Sequence, residues 1–427
     1  MEIKEIHKLF LKCKDLVIDT RKITNNTMFL AIKGEKYDAN IFTKEALEKG
    51  AAYVIIDNGD YYIDERTIVV KNSLLTLQEL SSYHRVYLGL PIIALTGSNG
   101  KTTTKELIQK VLSKKYNTKA TIGNLNNHIG VPLTLLSFTE ETEIGIVEMG
   151  ANHQKEIELL CTIAKPDYGY ITNFGKAHLE GFGGIEGVIK GKSEMYDYLK
   201  LYEKKVFVNL DDETQNERTK TLNRITFSSI TNNANLYIES IVANPFVKLS
   251  YGHCSVISNL IGLYNSNNIS ACIVIGKYFE VSDVAIKKAI AEYVPENNRS
   301  QLLFKKTNEI ILDAYNANPT SMLAAIDNFI KLEKTKKIII LGDMFELGNE
   351  STKEHKQIID YLTKEESIQC NFIGVHFYKN KNELKHHSFF EDFESFSDYL
   401  RTNIYTKCTI LIKGSRGMAL ERTLNYM

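Results

Sequence analysis

The stretch "ALTGSNGKTTTKE", residues 94–106, decides how the rest of the chain is read. An apolar, β-branched run, "PIIALT" (91–96), leads into it. "TTTKELIQKVLSKKY" (102–116) follows, with Leu107, Val111 and Leu112 at helical spacing. Strand, glycine loop, helix is the geometry that cradles phosphate. The common pattern G-x-x-x-x-G-K-[ST] is nevertheless not met, because its first glycine would fall at Leu95. What remains still suits phosphate oxygens. Gly97 and Gly100, with Ser98 and Asn99 between them, allow tight turns and close approach of backbone N–H groups. Lys101 would bring an ammonium to β/γ phosphates and Thr102 a hydroxyl to Mg2+. The helix starting near Thr103 would add the positive end of its dipole. A glycine turn beside a surface lysine is the plain alternative that the loop alone leaves open.

The chain has 427 residues, 43% hydrophobic and 24% charged. At roughly 100–200 residues per domain this is too long for one core, and three domains are expected. Lys+Arg and Asp+Glu balance at 52 each, so no basic surplus points to nucleic acid. The start lacks the apolar core of a signal peptide. No apolar run reaches the ~18–20 residues that span a membrane. Six cysteines stand singly, without a C-x-x-C pair. The expectation is a cytoplasmic protein without membrane insertion, disulfide framework or zinc site.

Short strand-like runs alternate with helical ones along the chain, which predicts an α/β fold with mostly parallel sheets. The first ~85 residues hold "TMFLAI" and "AAYVIID" around a helical "IFTKEALEKG". A new series begins at "VYLGLPIIALT", pauses at "VPENNRSQ" and restarts at "NEIILDAYNANP". The boundaries are placed near 87 and 295, giving units 1–87, 88–295 and 296–427.

Other candidates surround the loop. Glu148 ends the apolar run "IGIVEMG", at the carboxyl end of a strand, where ligands bind in open α/β sheets and a carboxylate can hold magnesium. A helix-capping glutamate is the alternative. His178 follows another strand, among glycines, and Lys192 lies in "IKGKSEMYDYL". Asn265 and Asn268 are three apart on one helix face, where amides suit an adenine edge or a cap. Asp313 closes "NEIILD", suited to ribose hydroxyls or to a turn and N-cap.

These residues together resemble the Mur ligases. "LTGSNGKTTTK" (95–105) looks like the family's shorter T-G-x-x-G-K-T loop, which lacks the upstream glycine. The resemblance runs from about Thr20 to Glu421. It includes "GNLNNHIGVP" (123–132), "EMGANHQKEI" (148–157), "ITNFGKAHLEGFGG" (171–184), "DAYNANPTSM" (313–322), "GDMFELG" (342–348) and "KGSRGMALE" (413–421). "YNANP", "GDMFELG" and "KGSRGMALE" are similar to the branch that adds D-alanyl-D-alanine. Thr20-Arg21, Ala39-Asn40 and Tyr264-Asn265 depart from the family's usual Ser-Arg, Gly-His and His-Asn.

The resemblance implies three domains: an N-terminal UDP-muramoyl-peptide-binding domain, a central ATPase domain on a mostly parallel sheet, and a Rossmann-like C-terminal domain. It implies ATP and Mg2+, and an ADP-forming ligation of D-alanyl-D-alanine to UDP-N-acetylmuramoyl-tripeptide through an acyl phosphate. The protein is expected to be a monomer that opens before binding and closes by swinging in the segment from about residue 296. Lys101 and the loop amides would hold phosphates. Thr102 and Glu148 would bind a first Mg2+, and His178 with Lys192 a second. Asn268, Arg299 and Asp313 would address adenosine or its phosphates. Thr20, Arg21 and segment 123–132, including Asn126 and Asn127, would bind the UDP-peptide. Tyr315, Asn316, Asn318 and Arg416 would serve D-alanyl-D-alanine or closure. Lys192 stands where related ligases carry a carbamylated lysine; the alternative is an ammonium paired with a phosphate or with Glu194. A folylpolyglutamate synthase and a decayed, ATP-gated binding protein are the rival readings.

Overall fold

A computed structural model describes residues 1–296 and 298–427. Asn297, inside the "VPENNRSQ" pause, lies outside them. The first unit carries a parallel sheet in the order Leu16–Val17, Thr27–Leu30, Ala51–Ile56, Thr67–Val69. The expected helix is Thr43–Glu48, and Gly50 after it takes φ +98°, a left-handed turn that glycine adopts freely.

The helix Ser73–Leu88 joins this unit to the next. Asn72 caps its start by accepting from Leu75 N, and Gly89 at φ +64° ends it. It packs on the helices Gly130–Leu136 and Glu156–Ala164. Arg85 pins it there, with Nη2 donating to Asp167 Oδ2 (2.6 Å) and Nε to Ala164 O. Leu136 is buried in the first unit's core beside Leu77 and Leu80, so segment 129–136 serves two cores.

The second unit is built on seven parallel strands. Their order is Leu236–Tyr237, Asn223–Ser228, Lys205–Asn209, Tyr168–Ile171, Ile92–Thr96, Ile144–Glu148, Thr118–Ala120. Ile92–Thr96 is buried throughout, as a strand covered on both faces must be. The helix Lys101–Leu112 buries Leu107, Ile108, Val111 and Leu112 against it. Burial of each such side chain contributes roughly 1.5–3 kcal/mol, which holds the glycine loop between two rigid elements. From Ile92–Thr96 the chain steps first to one side of the sheet and later, at Tyr168–Ile171, to the other. The carboxyl end of this strand is therefore a topological switch point, where the two connections diverge and leave a crevice.

One part departs from the expected parallel series. Ser240–Ala243, Phe246–Tyr251 and Cys254–Ile261 form a separate antiparallel sheet. Val247, Leu249 and Tyr251 alternate inward while Lys248 faces out, and Gly252 at φ +52° makes the turn. The helix Asp283–Glu292 covers it.

The third unit has the order Gln301–Lys305, Asn308–Asp313, Thr409–Lys413, Lys337–Gly342, Ile368–Ile373, His387–Phe390. All neighbours are parallel except the edge hairpin at 301–313. Helices flank the sheet, the Rossmann-like arrangement expected. The sequence-final strand, inserted beside Asn308–Asp313, puts Lys413 next to Asp313. All six cysteines are free, and no helix among the described residues is long and apolar enough to cross a membrane.

Candidate active site

The carboxyl strand ends of both sheets open into one cavity of about 880 Å3, which the second and third units share. The phosphate loop forms its floor. Gly97 takes φ +143°, and a Cβ there would sit 1.9 Å from Thr172 Oγ1. Gly100 takes φ +79°, and a Cβ would meet Asn268 Oδ1 at 2.7 Å. Both glycines are thus required by conformation and by space. The loop is tied to the neighbouring strand end. Asn99 N donates to Asn173 Oδ1 (3.1 Å), Thr172 Oγ1 donates to Asn99 O (2.6 Å), and Ser98 Oγ donates to Gly175 O (2.7 Å). Lys101 Nζ folds back onto Gly97 O at 2.7 Å. Burial pushes its pKa down, with Glu148 acting in the opposite direction. Lys101, Thr102 and Thr103 form the first turn of the helix, which begins right after Gly100.

Glu148 ends its strand 2% exposed. Its Oε1 accepts from Thr102 Oγ1 (3.2 Å) and Asn126 Nδ2 (2.8 Å). Its Oε2 is buried and accepts no hydrogen bond among the described residues; Lys105 Nζ lies 3.8 Å away. A buried carboxylate oxygen beside a hydroxyl is a hard-oxygen donor set that fits magnesium. Thr102 and Glu148 are the residues that would hold it.

His178 lines the cavity at φ +54° and contacts Glu346 through Nδ1. Lys192 is only 1% exposed and is not among the residues lining the cavity; its Nζ lies 5.2 Å from the Phe182 ring centre. Glu194 is not its partner. That carboxylate accepts from Lys155 N (2.6 Å) and Glu158 N (3.0 Å), at the start of the helix Glu156–Ala164. No three His, Cys, Asp or Glu side chains cluster as a metal site among the described residues.

The third unit supplies the opposite wall. Asp313 Oδ2 accepts from Lys413 Nζ (2.6 Å), and Oδ1 accepts from Ser300 N (3.0 Å). The Arg299 guanidinium stacks 3.5 Å over the Tyr315 ring. Asn316 and Asn318 line the cavity, and Asn318 reaches the loop through Asn99. The expected closing segment is therefore docked here.

Several expected residues are placed differently. Asn268 lines the cavity, but its Oδ1 accepts from Thr104 Oγ1 and its Nδ2 donates to Asn265 Oδ1, so its amide braces the loop helix. Arg416 pairs with Glu421 in solvent, outside the cavity, because the backbone turns away after Ser415. Thr20 and Arg21 lie in the first unit, outside the cavity, with Arg21 clamped on Asp19. Asn127 lines the cavity while its Oδ1 accepts from Ile129 N and Gly130 N. The sequence reading missed Asn173, Lys413 and Thr320. Asn173 stands two residues past the strand Tyr168–Ile171 beside the loop strand, and Lys413 ends the strand beside Asp313, a signal that strand order alone reveals.

The site and fold define an α/β nucleotide-binding enzyme whose phosphate loop faces a second, Rossmann-like unit. Two family models match it: the Mur ligase middle domain at residues 95–276, and the Mur ligase, glutamate ligase domain at 298–416. The chain belongs to the Mur ligase family. It is 34% identical to the UDP-N-acetylmuramoyl-tripeptide–D-alanyl-D-alanine ligase of Bacillus subtilis, over 94% of this chain and 90% of the relative. To the Escherichia coli enzyme of the same name it is 31% identical, over 96% and 92%. Among solved structures, it superposes on MurF from Acinetobacter baumannii with a TM-score of 0.87 at 28% identity, covering 99% and 97%. On the MurF ligase from Thermotoga maritima in complex with ADP the TM-score is 0.85 at 25% identity, covering 98% and 97%.

Proposed function

We propose that the protein is an ATP-dependent ligase joining D-alanyl-D-alanine to UDP-N-acetylmuramoyl-tripeptide, with release of ADP and phosphate. The observation that carries this is the shared cavity: a phosphate loop and a buried carboxylate face the "YNANP" turn across one space. A carboxylate at neutral pH is a poor electrophile. In the reaction the tripeptide carboxylate attacks the γ-phosphorus of ATP, ADP leaves, and an acyl phosphate results. The amine of D-alanyl-D-alanine attacks its carbonyl, loses a proton, and the tetrahedral adduct expels phosphate.

The chain's part is positioning and electrostatics. Loop amides 97–103 and Lys101 bind the β/γ phosphates. The bound magnesium would neutralise phosphate charge and polarise the transferring group. Glu148 and Thr102 hold that position; His178 borders the same space, and Lys192 lies behind it. Arg299 and Asp313 address the nucleotide, with Lys413 fixing the Asp313 carboxylate. Asn126 and Asn127 face the peptide substrate, while Tyr315, Asn316 and Asn318 face the dipeptide. The docked third unit excludes water from the acyl phosphate. In this reading residues 1–87 with Thr20 and Arg21 bind the UDP-sugar, 88–295 the ATP, and 296–427 close the site, in a cytoplasmic monomer. The test is ADP release with UDP-N-acetylmuramoyl-tripeptide, with and without D-alanyl-D-alanine. Release only with both substrates is expected; none with either overturns the reading.

A further inference from the structure

Two carboxylates of the third unit grip the segment that carries His178. Glu354 Oε1 lies 2.5 Å from Lys176 Nζ; the glutamate side chain is 3% exposed and the lysine 42%. Glu346 contacts His178 Nδ1, and its backbone O accepts from Glu180 N at 3.2 Å. Thr320 Oγ1 accepts from Lys176 N at 2.9 Å. These contacts all join the "TNFGKAHLEG" segment of the second unit to the third.

The two carboxylates belong to one rigid piece. Glu354 sits on the helix Ser351–Leu362, and its neighbour His355 accepts at Nε2 from Met344 N (2.9 Å) while its Nδ1 donates to Ser351 O (2.7 Å). Met344 is in the loop that carries Glu346. Phe345 N donates to Ser415 Oγ (2.9 Å), tying the same loop to the sheet. His178 and Glu346 are both non-glycine residues at left-handed φ, +54° and +62°. Such backbone costs on the order of 1 kcal/mol or more and persists where surrounding contacts over-determine it. Neither Glu346 nor Glu354 lines the cavity. Glu346 reaches the cavity lining through His178, while Glu354 pairs with Lys176, two residues before that histidine.

We infer that Glu346 and Glu354 form a two-pronged clasp that docks the third unit on segment 175–180 and fixes the orientation of His178 toward the cavity. Both are positioning residues: Glu354 holds the docked state by pairing its buried charge, and Glu346 aims the imidazole. Without Lys176 the docked state must bury an unpaired carboxylate, which shifts the balance toward the undocked state. Binding to a docked state that is only fractionally populated weakens in proportion to that fraction.

The activity readout rests on the ligase reading above, so a substrate-independent readout accompanies it. The variants are Lys176→Met, the near-isosteric Glu354→Gln, Glu346→Gln, and the swap Lys176→Glu with Glu354→Lys. Lys176→Met and Glu354→Gln should raise KM for ATP about fivefold to tenfold with kcat within about twofold. Glu346→Gln should lower kcat instead. The swap should recover most of the lost affinity. Small-angle scattering of the same proteins, alone and with Mg–AMP-PNP, should show a larger radius of gyration for Lys176→Met and Glu354→Gln without nucleotide. A swap no better than the single variants, or unchanged KM and unchanged scattering in both, overturns the clasp. No ADP release from the unaltered protein, with the scattering difference present, overturns the ligase reading and leaves the clasp standing.

Discussion

Asn318 Nδ2 donates to Asn99 Oδ1 across 2.7 Å, joining the "YNANP" turn to the phosphate loop. The same asparagine caps the helix Pro319–Ile330. Its Oδ1 accepts from Ser321 N at 2.9 Å, and Ser321 Oγ in turn lies 3.1 Å from Asn318 N. One side chain thus uses its nitrogen for the neighbouring unit and its oxygen chiefly for its own helix, with Asn99 Nδ2 a longer 3.5 Å from that oxygen.

That division makes two variants separable. Asn318→Asp keeps an acceptor for the cap but sets a carboxylate against Asn99 Oδ1. It should leave thermal stability nearly unchanged and raise KM for ATP severalfold. Asn318→Ala removes both roles and should also lower unfolding free energy by about 1 kcal/mol. Thermal melts and steady-state kinetics on both variants check this; equal kinetics for the Asn318→Asp variant and the unaltered protein would remove the bridging role.

The phosphate loop gives the second prediction. Among the described residues, the hydrogen bonds of Lys101 Nζ go to backbone oxygens of its own loop, Gly97 and Ser98. Lys101→Ala should therefore keep the melting temperature within a few degrees. It should cut kcat/KM by about 10^2–10^3-fold, the scale of losing one preorganised charge donor. Near-normal turnover would dismiss Lys101 as a phosphate ligand.

How much of this was legible follows the range of each signal. The loop, Glu148 and Asp313 were readable because each sits at a strand end, and a local apolar run announces it. The antiparallel sheet at 240–261 was blended into the parallel series, although Val247, Leu249 and Tyr251 alternate with period two. Asn173 and Lys413 escaped because their importance arises from strand order: Lys413 meets Asp313 only when the sequence-final strand inserts beside Asn308–Asp313. Arg416 drew attention through its motif, yet Lys413 and Ser415 of that motif face inward. Pair partners such as Glu346 and Glu354 are invisible without the docking of two units.

A pair of buried histidines yields a pH prediction. His84 Nε2 donates to Phe138 O (3.0 Å), so its bare Nδ1 accepts from His7 Nε2, also at 3.0 Å. This chain of bonds needs a neutral His84, whose Nδ1 must accept, and burial disfavours the charged form of both rings. Burial, aided by His84, lowers the His7 pKa from 6.5 to about 4, and burial lowers that of His84. The unfolded chain binds more protons between these values, so stability is fully present above pH 6.5 and falls as pH drops toward 4. Melting temperatures from about pH 7.5 to about 4.5 should decline in that window. His7→Gln should flatten part of the slope; an identical slope would assign the acid sensitivity elsewhere.

Lys192 gives the last prediction. Its ammonium has no hydrogen-bond or carboxylate partner among the described residues, and it is almost fully buried. Burial, with the charge of Lys101 second, holds its pKa well below the ordinary lysine value. A neutral amine is the form that adds carbon dioxide: its lone pair forms the N–C bond, one proton is released, and a carbamate anion results. The product would carry oxygen donors on a long stem toward the His178 side of the cavity. Glu194, the competing partner, is already committed to two backbone N–H groups. Lys192→Ala should lose most activity while remaining folded, and added short-chain carboxylates should restore part of it by occupying the vacated place. Intact-mass measurement cannot hold so labile a group, so carbon-13 NMR of protein equilibrated with labelled bicarbonate is the direct check. A carbamate resonance absent in Lys192→Ala is expected. Full activity of the unrescued variant, or the same spectrum from both proteins, would leave Lys192 as a buried neutral amine.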